Sequence, residues 1–160
     1  MCDGSGKVTL TDFHFEYNTS LKSFNQKNEH NLAYVCFVTG NTLNLTPLGK
    51  FVMPPPMSEK KVELEGFPVL IDMFGHQICV MLASGKILMT NCMETDKIVT
   101  LQLSENIDSF TVTKMKVYRM KSDEPWKLII VRNIDDYDEI LVFTIDGKGE
   151  AKLSHKSKVD

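Results

Sequence analysis

Gly4-Ser5-Gly6-Lys7 is the first group of residues whose type suggests chemistry, because glycine-rich turns ending in lysine can cradle phosphate. A phosphate loop, however, needs GxxxxGK followed by Ser or Thr between a strand and a helix. Here Val8 follows and an alternating stretch begins, so the segment reads as a plain terminus. His14, His30, His76 and His155 are scattered, and none is spaced to meet a Ser or Cys nucleophile or a second metal ligand. His14, between Phe13 and Phe15, is expected on the solvent side of a strand. Cys2, Cys36, Cys79 and Cys92 form no CxxC pair. Cys36 and Cys79 sit in apolar runs, where a thiol behaves as a small hydrophobe, and are expected to be buried and reduced.

Two charged clusters remain. Asp135-Asp136-Tyr137-Asp138-Glu139 puts four carboxylates within five residues but lacks the DxDxDG spacing and distal Glu of a calcium loop. It is expected as a solvated approach to a hairpin, where charge also opposes edge-to-edge strand pairing. Lys114, Lys116, Arg119 and Lys121 alternate with Met115, Val117, Tyr118 and Met120 and could make a weak phosphate contact. An amphipathic strand with a charged outer face accounts for the same residues. Trp126, directly after Pro125, is expected to pack at the start of a strand rather than to stack on a nucleobase. No nucleophile elbow, zinc spacing or carboxylate pair is recognisable, so the sequence predicts no cofactor, no metal and no enzyme.

The elements that would position these residues are strands. Period-two alternation in runs rich in Val, Ile, Phe and Thr dominates, and helical periodicity is almost absent. Gln77 to Leu82, the turn Ala83-Ser84-Gly85 and Lys86 to Thr90 predict a hairpin, with Gly85 free to take positive φ. Glu139 to Ile145, Asp146-Gly147 and Lys148 to Leu153 predict a second, turning on Asp-Gly. Leu32 to Val38 and Leu43 to Thr46, joined by Gly40-Asn41, predict a third. Val8 to Tyr17, Phe67 to Met73, Ile98 to Leu103, Phe110 to Met120 and Trp126 to Val131 are further strands, and residues 21–31 a polar loop. Such spacing indicates an all-β sandwich, barrel or propeller.

The 160 residues suffice for one domain, and a net charge of -3 from 18 basic and 21 acidic residues draws in neither nucleic acid nor anionic lipid globally. The apolar runs are far shorter than a membrane span, and the expected compartment is the cytoplasm, with the nucleus as the alternative. A Gly-Lys turn recurs at Gly49-Lys50, Gly85-Lys86 and Gly147-Lys148. The first interval is 36 residues, near the roughly 40–45 of a four-stranded propeller blade, and the next is 62. In the connector 51–58, Pro54-Pro55-Pro56 removes three backbone donors and fixes φ, so this stretch must be extended and cannot enter a central strand.

Leu45-Thr46-Pro47-Leu48, then Val52-Met53-Pro54-Pro55-Pro56-Met57, then the hairpin Ile78 to Met89 resemble the N-terminal propeller region of the largest subunit of the Elongator complex, the IKAP family. Leu10-Thr11-Asp12-Phe13-His14-Phe15 is similar to the strand that precedes the connector in that family. The resemblance runs from about Leu10 to Asn91, and beyond it only the strand rhythm continues. It implies antiparallel four-stranded blades of a WD40-like β-propeller, residues 1–160 forming a partial propeller of about three to four blades. It also implies a non-catalytic scaffold for modifying wobble uridines of transfer RNA. The partners would be other Elongator subunits, with indirect involvement of transfer RNA, no membrane, and a parent that dimerises through a region absent from this sequence. The alternative is a stand-alone β-sandwich or barrel-like module that binds a peptide or small ligand.

Overall fold

The computed structural model describes residues 19–23, 33–48 and 58–159. Gly4 to Lys7, the strand Val8 to Tyr17, Cys2, His14, His30 and the connector residues Pro54, Pro55, Pro56 and Met57 lie outside the described residues. The described chain forms strands joined by turns, with no helix among the described residues: β1 Thr19–Ser23, β2 Ala33–Thr39, β3 Thr42–Leu48, β4 Lys60–Glu63, β5 Pro68–Phe74, β6 Gln77–Leu82, β7 Ile87–Asn91, β8 Glu94–Leu103, β9 Val112–Tyr118, β10 Trp126–Ile134, β11 Tyr137–Ile145 and β12 Glu150–Val159. The all-β expectation is met.

Strands β1 to β4 form a four-stranded sheet in sequence order, and the other eight form one sheet in the order β5-β6-β7-β8-β12-β11-β10-β9. Neighbours in both sheets run antiparallel except β8 and β12, a short parallel pairing at Gln102↔Glu150 and Leu103↔Ala151. The larger sheet therefore consists of two meanders, β5 to β8 and β9 to β12, joined through their last strands. It curls until its edge strands β5 and β9 lie side by side, giving a nearly closed, barrel-like body. Asp72 of β5 bridges that edge with its carboxylate. It accepts from the Val117 backbone N–H at 2.9 Å and pairs with Lys116 Nζ at 2.8 Å, satisfying an edge donor that a ladder would otherwise occupy.

Burial follows the side-chain period. Cys79 and Met81 of β6 and Ile87 and Met89 of β7 point into the barrel-like interior. There they meet Met115, Val117, Leu128, Ile130, Leu141 and Phe143 of the β9–β12 meander. Ile78, Val80, Leu82 and Leu88, on the opposite face, pack against Cys36, Val38, Leu43 and Leu45 of the four-stranded sheet. The β5–β8 meander is thus covered on both faces, which explains why Ile78 to Leu82 is apolar without interruption. In β11 the same logic leaves alternation, with Leu141, Phe143 and Ile145 buried and Ile140 and Val142 only partly covered.

All three expected hairpins are present. Gly85 takes φ 83°, and the turn closes with Gly85 N donating to Leu82 O at 2.9 Å. An added Cβ at Gly85 would lie 2.7 Å from the Ile107 carbonyl oxygen. Gly85→Ala is therefore expected to destabilise the protein by about 2 kcal/mol, combining left-handed strain with a backbone clash, as read by thermal unfolding. An unchanged melting temperature would refute that account of the turn.

Four expectations change. The second hairpin does not turn on Gly147: Asp146 Oδ1 accepts from the Lys148 and Glu150 N–H groups, both at 2.8 Å, and the positive φ, 89°, falls on Gly149. The four-residue turn starts β12 at Glu150 and holds the Asp146 carboxyl below its usual range. Leu21 to Ser23, expected in the loop 21–31, belong to β1, because β2 offers ladder partners down to Ser23↔Ala33. β4 was not expected. In Lys60-Lys61-Val62-Glu63 only Val62 is buried, and the lysines suit an edge strand. Finally, the acidic run is not uniformly solvated. Asp135, at φ 52°, and Asp136 make the turn, but Glu139 is 2% exposed.

Candidate functional site

Among the described residues no group of three or more His, Cys, Asp or Glu could hold a metal ion. Cys36, Cys79 and Cys92 are buried, free thiols, as expected for the first two. Burial pushes all three thiols up, Cys92 to about 11, where Lys60 and a backbone hydrogen bond offset part of the effect. Thiols held protonated at neutral pH are poor nucleophiles and metal ligands. His76, in the β5–β6 turn, is partly buried, and that burial lowers its pKa below the ordinary imidazole value. His155 is exposed on β12.

The basic residues Lys114, Lys116, Arg119 and Lys121 do not form one track. Lys114 and Lys116 project from the outer face of β9, and Lys116 is held by Asp72. Arg119 and Lys121 lie beyond the end of β9, in the connection to β10. Arg119 lies over the Trp126 ring, its guanidinium carbon 4.5 Å from the centroid, while Lys121 is exposed. The stacked pair is a cation–π contact of the kind Arg makes most readily. Trp126 packs at the start of β10 as expected, and its ring also meets Phe74 edge-on, with centroids 6.2 Å apart.

These contacts form one wall of a cleft of about 520 Å³ between the β5–β6 turn and the β9–β10 connection. Phe74, His76, Gln77, Arg119, Lys121 and Trp126 line it, and among the described residues neither Asp nor Glu does. Gly75, at φ 57°, turns the chain tightly enough to set Phe74 and His76 beside one another at its rim. Phe74 is 40% and Met120 79% exposed. The Gln77 side chain donates to Thr90 O at 2.7 Å, which fixes its amide at the cleft base. The sequence offered Arg119, Lys121 and Trp126 as separate features. It concealed Phe74 and Gln77 because they belong to a strand and turn about fifty residues earlier, brought close by the approach of β5 to β9.

At the opposite end of the strands lies an ion cluster around the buried carboxylate of Glu139. Arg132 and Glu139 face each other in the β10–β11 register. Arg132 Nη2 is 2.6 Å from Glu139 Oε2 and 2.8 Å from Glu105 Oε1. Lys156 Nζ approaches Glu105 at 3.1 Å and Glu139 at 3.2 Å. Two carboxylates and two cations compensate one another, so the cluster presents no spare base for proton transfer. It ties the β8–β9 connection to β10, β11 and β12. Burial alone would raise the Glu139 carboxyl, but hydrogen bonds from Arg132 and Lys156 outweigh it and hold the group below its ordinary range.

No family model matches the chain, and no curated protein matches it.

Proposed function

We propose that the chain is a non-catalytic interaction scaffold, built as part of a β-propeller in the largest subunit of the Elongator complex. One observation carries the scaffold reading. The described strands fall into three successive four-stranded meanders, β1–β4, β5–β8 and β9–β12, whose faces stack and whose first strands are neighbours, β1 beside β5 and β5 beside β9. Short antiparallel meanders packed face to face are also the unit from which a propeller is built, and this supports the reading. A stack of this kind offers its rims to partners and needs no reactive group. The buried thiols and the compensated ion cluster are consistent with that role. Assignment to Elongator, with a cytoplasmic setting and an indirect part in transfer RNA modification, rests on the resemblance around Pro54-Pro55-Pro56-Met57.

A second reading, a stand-alone barrel-like binding module, draws on the β8–β12 pairing that joins eight strands into one curled sheet. One experiment separates the two. The epitope-tagged chain, expressed in cells of its own source and purified under mild conditions, is expected to recover Elongator subunits identifiable by mass spectrometry. Recovery without them would leave the barrel-like module as the better account and end the Elongator assignment.

A further inference from the structure

We propose that the cleft between the β5–β6 turn and the β9–β10 connection binds a short acidic peptide segment carrying an aromatic or aliphatic anchor. The inference concerns the cleft itself and stands whichever larger assembly the meanders belong to. Charge is the first argument. The chain carries a net charge of -3, yet among the described residues the cleft is lined by the two cations Arg119 and Lys121 and by no carboxylate. Among the described residues the ion pairs use Lys86, Lys97, Lys116, Arg132, Lys152 and Lys156, and neither Arg119 nor Lys121. Stacking on Trp126 occupies the face of the Arg119 guanidinium and leaves its in-plane N–H groups for a carboxylate, the bidentate geometry Arg favours.

The second argument is the apolar surface beside that charge. Phe74 and Met120 are exposed large hydrophobic residues at the cleft, and the Trp126 ring meets Phe74 edge-on there. Methionine adapts to partners of differing shape, and aromatic side chains supply contact area at small entropic cost. Gln77 and Asn91 add polar anchoring. Gln77 Nε2 is committed to Thr90 O, and Asn91 Oδ1 accepts from Met93 N at 2.9 Å. Gln77 and Asn91 thereby present the other end of each amide, an acceptor and a donor, along the cleft. A volume of about 520 Å³ takes a few side chains rather than a folded domain.

A nucleic acid fits less well. Its backbone needs a row of cations along the phosphates, and the row breaks here because Lys116 is neutralised by Asp72.

The test is a selection of short random peptides displayed on phage against the full chain, followed by titration of a selected peptide with Trp126 fluorescence as the readout. Trp126 is the single tryptophan and lines the cleft, so its emission reports occupancy directly. The expected result is enrichment of Asp and Glu around a Phe, Leu or Trp. Affinity should fall about tenfold or more in Lys121→Glu and further in Arg119→Glu combined with Lys121→Glu. Lys121 is exposed, so the single variant is expected to keep the wild-type melting temperature and to remain informative if the double variant does not fold. Selected peptides without acidic bias, an affinity unmoved by Lys121→Glu, or a single-stranded oligonucleotide binding more tightly than the best peptide would each overturn the proposal.

Discussion

Phe143→Ala is expected to lower the unfolding free energy by about 4 kcal/mol, whereas Val142→Thr, at the next position along the same strand, is expected to stay within about 0.5 kcal/mol of wild type. The contrast follows from which way β11 faces. Phe143 is fully buried between the two halves of the larger sheet, beside Leu128 across the ladder and Met81 and Met89 from the β5–β8 meander. Truncating it removes the transfer free energy of the ring and leaves a cavity that surrounding strands, fixed by their ladders, fill only in part. Val142 looks outward from the β9–β12 meander and is only partly covered, so the isosteric threonine can hydrate its hydroxyl. Urea unfolding followed by Trp126 fluorescence gives both values, and an unchanged denaturant slope establishes that they compare the same transition. Similar losses for the two variants would mean that the β9–β12 meander is covered on both faces, contrary to the packing described above.

That packing was half visible in the sequence. The unbroken run Ile78 to Leu82 and the alternation from Glu139 to Ile145 were both legible as strands. Their difference also marks which meander lies in the middle, since only a sheet covered on two faces tolerates apolar residues at every position. Pairwise stacking remained hidden because periodicity reports how many faces are buried and not against what. The sequence pattern predicts β12 only to Leu153. Ser154 to Val159 has little apolar alternation, and the strand continues because β11 still presents backbone groups to pair. The Asp-Gly dipeptide predicts a turn at Gly147, which the Asp146 carboxylate overrides by capping two N–H groups. The cleft was least legible, because Phe74 and Trp126 meet only through the near closure of the larger sheet, for which no local signal exists. The burial of Glu139 is hidden in the sequence for a related reason. A carboxylate in an acidic run reads as solvated until the register places Arg132 opposite it.

Glu139→Gln is accordingly expected to destabilise the protein by about 3 kcal/mol at neutral pH, far more than loss of a surface ion pair. Arg132 is 13% exposed at its side chain, and with Glu139 neutral it keeps only Glu105 as an anionic partner in a poorly solvated position. If the loss comes from stranding that charge, Arg132→Met combined with Glu139→Leu should recover much of it, because an apolar pair of similar volume leaves no buried ion uncompensated. The pH dependence has a definite sign. The Glu139 carboxyl is depressed in the folded protein, so its contribution is complete above pH 4.5, its ordinary value, and is lost as pH falls through the lower folded value. The gap between wild type and Glu139→Gln should therefore narrow on acidification, because the wild-type carboxyl is then protonated too. A gap that stays constant from neutral pH down to pH 3, about 1.5 units below the ordinary value, would show that lost packing rather than charge causes the effect. Separating those causes decides what holds the β8–β9 connection against β10, β11 and β12. Glu105 in that connection reaches the sheet through Arg132 and Lys156, so removal of the Glu139 charge weakens the anchor without touching the connection itself.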